Sequence, residues 1–360
     1  MTPDSLIKHV SVLMERIDKK PLIASELINS YLTKHKHLTK SDKNTILDLV
    51  WQVVRVMGRL KYAYADKNWT ERVLAFVNQG LPDMLAAPNH IKWEVPEWLL
   101  KHVPEAEKEL PELLKNPPIV LRAIGDRNEV QQALRSEGIE TLQTALSPYG
   151  LIMPTYSNLT LTQTWQKGMI EVQDEGAQLV ALDIGVKPNN TVFDFCAGAG
   201  GKSLIFAQMM QNKGLIWAYD ITTKKLFELQ KRAWRTHVDI IEIQKQLPLP
   251  DKQFDYVVVD APCSGMGTWR RSPNMRWHLT EKQLSHIVKS QTEILGRAEA
   301  YVKQDGYLAY ITCSLMKDED EDQIEQFLLA HTNYKIIKQK RYSPARTGTD
   351  GFFLCLMQKE

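Results

Sequence analysis

Cysteine is scarce in this chain of 360 residues: there are four, and none forms a closely spaced pair. That pattern argues against a disulfide framework and against a zinc site, and it predicts a reducing, cytoplasmic setting with no metal. Long apolar runs are missing too. Nothing approaches the roughly 20 residues that span a bilayer, so no membrane partner is expected. The opening stretch "MTPDSLIKHVSVLMERIDKK" is charged throughout and lacks an apolar segment, unlike a secretory signal. Excess charge is the third absence, since 45 Lys and Arg against 43 Asp and Glu leave a net +2. The chain as a whole is therefore not polybasic, although a local basic face can still bind phosphates. No internal repeat or low-complexity tract interrupts it.

What is present divides the chain into three. Residues 1–115 carry apolar side chains at three- and four-residue intervals in "LIKHVSVLMERI", "LIASELINSYL" and "KNTILDLVWQVVRVMGRLKYAY", the pattern of amphipathic helices. Pro21 punctuates the first pair, and Thr39 to Asp42 offers a start signal for the third. Residues 116–165 read as a small α+β module: a strand in "PPIVLRAI", a helix ending at Gly138 and a strand in "YGLIMPTY". From 166 to 360 strands and helices alternate, which predicts a doubly wound α/β, Rossmann-like domain. Its strands are "NTVFDFC", "GLIWAYD", "VDIIEIQ", "FDYVVVDAPC" and "GYLAYITC", with "YKIIKQKRY" and "GFFLCLMQ" expected as an antiparallel pair at one edge.

A glycine-rich turn, "VFDFCAGAGGKSL", joins the first of these strands to its helix. Gly198, Gly200 and Gly201 let a ligand approach the backbone, and the helix start offers free N–H groups. A dinucleotide fingerprint needs another glycine where Ser203 stands, so a nicotinamide cofactor is disfavoured. Asp194 ends the strand before the loop and Asp220 ends the next one. The latter suits a ribose diol. The former would repel a pyrophosphate but tolerates the cationic groups of S-adenosylmethionine.

Two of the rare cysteines follow strands: Cys263 in "VVVDAPCSGMGTW" and Cys313 in "YLAYITCSLM". Ligands of open α/β sheets bind beyond the carboxyl ends of the strands. If the two strands are neighbours, about 4.8 Å apart, both thiols reach one cleft with the cofactor's methyl group. A thiolate adding to carbon 6 of a pyrimidine turns carbon 5 into a nucleophile, and Asp260 is placed to share a proton with ring nitrogen 3. Cys355, inside "GFFLCLMQ", reads instead as a buried hydrophobe. Cys196 lies in the glycine loop, where its backbone can line the cofactor while its thiol packs inward.

Together, "DAPCSGMGTWRRSPNMRW", "YITCSL" and "DFCAGAGGKSL" resemble the RNA cytosine-5 methyltransferases typified by bacterial ribosomal RNA small-subunit methyltransferase B. "EVQDEGAQLVA" and "TDGFF" are similar to that family as well, and the likeness runs from about residue 117 to 360. It implies a class I methyltransferase fold, S-adenosyl-L-methionine as cofactor and RNA, above all ribosomal RNA, as partner. It also implies that Cys313 is the nucleophile, that Cys263 serves product release, and that Cys196, Ala197, Gly198, Ala199, Gly200, Gly201, Lys202, Asp220 and Asp260 contact the cofactor. Two departures stand out. The family's Ala-Ala-Pro-Gly-Gly-Lys loop is here Ala-Gly-Ala-Gly-Gly-Lys, and the acid that ends its third strand is replaced by Gln244. DNA cytosine-5 methyltransferases, which attack with the Pro-Cys thiol, are the nearest rival. A catalytically silent RNA-binding assembly factor is the alternative from another class.

"TWRRSPNMRWHLT" interleaves Arg270, Arg271, Arg276 and His278 with Trp269 and Trp277. Arginines suit phosphates and indoles suit unpaired bases, so this stretch is the expected RNA contact. The acidic run Asp318 to Asp322 is expected only to start a helix, where negative charge suits the dipole. At the N-terminus the resemblance places a NusB-like RNA-binding domain; residues 1–115 read as a reduced version of it or as plain scaffold.

Overall fold

The computed structural model describes residues 1–20, 24–247 and 252–360. Pro21, read as the break between the first two helices, lies outside the described residues. The chain falls into two compact units, residues 1–116 with 268–284, and residues 117–267 with 285–360.

The first unit is helical for the reasons its spacing suggests. Helix Pro3–Lys19 starts at Thr2, whose hydroxyl accepts the Ser5 N–H, with proline in the first turn. Val10, Leu13, Met14 and Ile17 form its buried stripe. Thr39 and Asp42 make a reciprocal capping box at the start of helix Lys40–Arg55. The apolar periodicity continues beyond Arg55, but Val56 leaves helical geometry and a separate helix runs over Met57–Ala63.

The second unit holds two sheets. Strands β1 (Ile119–Ala123), β2 (Leu142–Gln143), β3 (Gly150–Met153) and β4 (Ile170–Val172) form a small antiparallel sheet in the order β2-β3-β1-β4. The helix between β1 and β2 spans Arg127–Ser136 and is capped by Asp126. The larger sheet contains β5 (Thr191–Asp194), β6 (Leu215–Tyr219), β7 (Ile241–Gln244), β8 (Phe254–Asp260), β9 (Val302–Thr312), β10 (Tyr334–Tyr342) and β11 (Phe352–Lys359). Its order is β10-β11-β9-β8-β5-β6-β7. The five strands from β9 to β7 are parallel, and β11 runs antiparallel between β9 and β10. This is the class I methyltransferase arrangement, with the edge pair expected from the sequence.

Why the strands read as unbroken apolar runs is plain from their burial. Phe193, Val257, Val259 and Tyr310 pack on one face of the sheet, while Val192, Val258, Ala309 and Ile311 pack on the other. Alternation persists, but both faces are covered, so both sets are apolar. The chain winds outward from β5 in both directions, and the crevice where the winding reverses lies between β5 and β8. Among the described residues, no helix is long and apolar enough to cross a membrane.

Candidate active site

β5 delivers Asp194 to the floor of that crevice, and the glycine loop turns the chain into helix Gly201–Met209. Gly200 adopts φ +86°, and a Cβ there would lie 2.4 Å from Leu229 Cδ1. Only glycine serves both demands. Asp220, beyond β6, locks the loop from the side: its two carboxylate oxygens accept the N–H groups of Gly198 at 2.9 Å and Thr222 at 2.7 Å. Each oxygen keeps a lone pair for a further donor such as a ribose hydroxyl.

A cleft of about 860 Å³ opens above these tips. Cys196, Ala197, Gly198, Ala199, Gly201, Lys202, Asp220, Asp260, Cys263 and Cys313 all line it. Gly200 does not line it; it supports the turn from behind. Gln244 ends β7 in register with Tyr219 and does not line the cleft, whereas Tyr219 to Thr222 do. A carboxylate beside a bare backbone turn, facing apolar Ile221 and Pro262, fits a nucleoside with a cationic tail.

Asp194 behaves differently from the expectation that it faces the cofactor's cation. It is fully buried, accepts the Ser203 hydroxyl at 2.5 Å and is absent from the cleft lining. Burial, reinforced by Asp260 and Asp220 and opposed by Ser203 and Lys202, pushes its pKa up to about 7. Its other oxygen has no hydrogen-bond partner among the described residues.

β8 and β9 are adjacent and parallel, with Asp260 in register with Ile311. The two thiols beyond their ends meet, Cys263 Sγ lying 3.2 Å from Cys313 Sγ. Cys263 is pushed well above the usual thiol range, first by its hydrogen bond to Cys313, then by burial, Cys313 charge and Glu319. It therefore holds its proton and can donate to Cys313. Lys202 Nζ pairs with Asp260 Oδ2 at 2.6 Å. Burial works to neutralise this lysine, but the charge and hydrogen bond of Asp260, aided by Cys313 and Asp194, outweigh it and raise its pKa. A cation is thus fixed beside the carboxylate and the Cys313 sulfur. Cys196 lines the cleft with a thiol held protonated, chiefly by burial and then by Asp194 and the other acids. Cys355 is fully buried and pushed up to about 12 by burial, the inert hydrophobe its context suggested.

The motifs around the cysteines are tied together by backbone contacts. Gly267 N–H donates to the Cys313 carbonyl, and Gly351 N–H donates to the Gly267 carbonyl, both at 2.9 Å. Asp174, which caps helix Glu175–Ile184, accepts the Asp350 N–H at 3.0 Å. The distant stretches "EVQDEGAQLVA" and "TDGFF" therefore meet.

The arginine–tryptophan stretch lies apart from this cleft. Residues 268–284 belong to the helical unit, where Arg270, Arg276 and Trp269 are buried. Arg276 donates to the Leu113 carbonyl at 3.2 Å, and burial, with Glu94 opposing, lowers its pKa to about 10. Trp277 is half-buried and donates to Glu94 at 3.2 Å. Neither buried arginine presents a fork to phosphate, nor does Trp269 present a face to a base; Arg271 is half-buried. The acidic run also divides. Glu321 and Asp322 occupy the first turn of helix Glu321–Ala330 as expected, whereas Glu319 and Asp320 are fully buried beneath the cysteine loops. No signal in the sequence separates the two pairs.

Residues 181–358 match the model of the 16S rRNA methyltransferase RsmB/F family. A Bacillus subtilis (strain 168) protein described as probable ribosomal RNA small subunit methyltransferase B is 30% identical over 299 residues, covering 76% of this chain and 67% of that protein. Ribosomal RNA small subunit methyltransferase B of Proteus mirabilis (strain HI4320) is 29% identical over 285 residues, with the same coverage of 76% and 67%. Among solved structures, PH0851 superposes with a TM-score of 0.81 at 21% identity over 100% of this chain and 99% of that one. NSun6 from Pyrococcus horikoshii with SFG gives 0.63 at 18% identity over 71% and 94%. These two likenesses carry the fold. The sequence matches carry more: the chain belongs to the 16S rRNA methyltransferase RsmB/F family and is an S-adenosylmethionine-dependent RNA cytosine methyltransferase.

Proposed function

We propose that the protein methylates carbon 5 of a cytidine in 16S ribosomal RNA through a covalent bond from Cys313 to carbon 6. The carrying observation is the meeting of two thiols 3.2 Å apart at the mouth of a nucleoside-sized cleft. S-adenosylmethionine, when bound, supplies an electrophilic methyl carbon. Asp220 and the backbone of Cys196 to Gly201 would hold its nucleoside and tail.

The chain's own groups account for the rest. The Cys313 sulfur, its proton released to solvent, forms the new bond to carbon 6. Electron density displaced toward ring nitrogen 3 is met by a proton taken from solvent and passed through the Asp260 carboxyl, which Lys202 orients. Transfer of the carbon 5 proton to solvent water after methylation lets the carbon–sulfur bond break and the electron pair return to Cys313. Cys263, still protonated, donates a hydrogen bond to that departing sulfur. Carbon 6 is inaccessible in a stacked duplex, so the target nucleotide must be unpaired or flipped out.

Transfer of tritiated methyl groups to ribosomal RNA and to DNA tests this reading. Wild type should label RNA, and Cys313→Ala should abolish labelling. Cys263→Ala should accumulate a protein–RNA adduct that survives denaturation, because release is slowed. Labelling of DNA alone, or full activity in Cys313→Ala, would remove the assignment.

A further inference from the structure

Glu319 lies at the centre of the contacts that set the two cysteines. It is fully buried, and one of its oxygens accepts the Ser264 N–H at 2.8 Å and the Gln291 side-chain N–H at 3.1 Å. The other accepts the hydroxyls of Ser264 and Ser314, each at 2.5 Å. Ser264 follows Cys263 and Ser314 follows Cys313. A single carboxylate thus grips the residue next to each thiol, and four donors use the full accepting capacity of an ionised group. Gln291 also donates to the Pro262 carbonyl at 3.0 Å, so Cys263 is held on both sides. Thr312, just before Cys313, donates to Asp320 at 2.5 Å. The carboxylate is itself anchored, because the Tyr310 hydroxyl donates to the Glu319 carbonyl at 2.8 Å.

We infer that Glu319 is a positioning residue for the reaction: its carboxylate fixes the separation of Cys263 and Cys313 by tying their two loops together. The inference rests on the catalytic reading of the two thiols, but the arrangement can be measured without it. Glutamine at this position keeps the geometry while removing the charge. Its oxygen can accept the two N–H groups, and its NH2 can donate to the two serine oxygens. Alanine removes all four of these contacts and strands the Ser264 N–H, leaving the Gly267–Cys313 backbone bond as a weaker tie between the loops.

The test uses a ruler that is independent of methylation. In the full-length chain without RNA, the azo oxidant diamide takes up the two thiol hydrogens as it becomes a hydrazide, and a Cys263–Cys313 disulfide forms. The closure rate is followed by mass spectrometry of the linked peptides. Glu319→Ala should slow closure about tenfold or more, and Glu319→Gln should close within about twofold of wild type, because bond formation depends steeply on the placement of the reacting atoms. In methylation assays Glu319→Ala should lower kcat about 100-fold while KM for RNA and Kd for S-adenosylmethionine stay within about threefold, and Glu319→Gln should recover at least about tenfold of the loss.

Closure at the wild-type rate in Glu319→Ala would overturn the inference. So would a loss confined to KM or cofactor affinity, or equal impairment in Glu319→Gln. Should Glu319→Ala fail to fold, the double variant Ser264→Ala/Ser314→Ala releases the hydroxyl tethers to Glu319, together with the hydroxyl contacts to the Met266 and Met316 N–H groups, and keeps the carboxylate. Slower closure there supports the inference, and wild-type closure overturns it. A wild-type chain that labels no RNA would defeat the proposed function, while the closure rates would still judge Glu319.

Discussion

The tips of β8 and β9 and the stretch from Trp269 to His278 are both dense in reactive or charged side chains, yet they end in opposite places. At the strand tips, Asp260, Cys263 and Cys313 face a common cleft. In the other stretch, Trp269, Arg270 and Arg276 turn inward and serve the helical unit. Topology accounts for the difference. Once parallel strands are neighbours, whatever follows their carboxyl ends must converge on the crevice above them. Interleaved arginines and tryptophans carry no such constraint. An indole and a guanidinium match a buried Glu94 and a free carbonyl as well as they match a base and a phosphate.

The contrast can be broken first at Arg276. Arg276→Ala should lower unfolding free energy by about 3 kcal/mol, because it empties a fully buried site and removes one of the two arginine charges, with Arg59, that offset the burial of Glu94. RNA affinity of the folded fraction should not change. Denaturant unfolding together with RNA titration checks this, and a stable protein with weakened RNA binding would restore the stretch as an RNA contact. A smaller effect is expected at Gly200. Gly200→Ala combines a left-handed backbone with a clash against Leu229, and should cost on the order of 1–2 kcal/mol. The cofactor's dissociation constant, measured calorimetrically, should rise in step as the loop shifts.

The effect at Asp194 is set by pH. Its folded pKa of about 7 lies above the ordinary 3.8, so the fold favours the protonated acid. The stability this group allows is fully present below about pH 4, falls as pH rises toward 7, and is level above that. Asp194→Asn should therefore gain in Tm relative to wild type as pH goes from 5 to 8. A gap independent of pH would show that Asp194 does not ionise across this range.

What was legible in the sequence follows the same division. The parallel strands were visible because each is a short apolar run covered on both faces, and the cleft because cysteines and acids close those runs. The antiparallel position of β11 was legible as an edge pair from the short connections around "YKIIKQKRY" and "GFFLCLMQ". Glu319 was not legible. Its burial depends on Ser264 and Gln291, 55 and 28 positions away, and four neighbouring acids look like an ordinary helix start. Asp194 was placed on the right strand, but the direction of its side chain depends on Ser203, nine positions further along.

The placement of β11 also bears on how the enzyme is made. β9, which ends beside Cys313, pairs with β11 through Phe353 to Gln358, residues that leave the ribosome some forty positions after β9 itself. Until they arrive, an apolar strand has an open margin able to recruit any passing chain. A growing polypeptide stalled in that interval would be expected to cluster rather than to methylate.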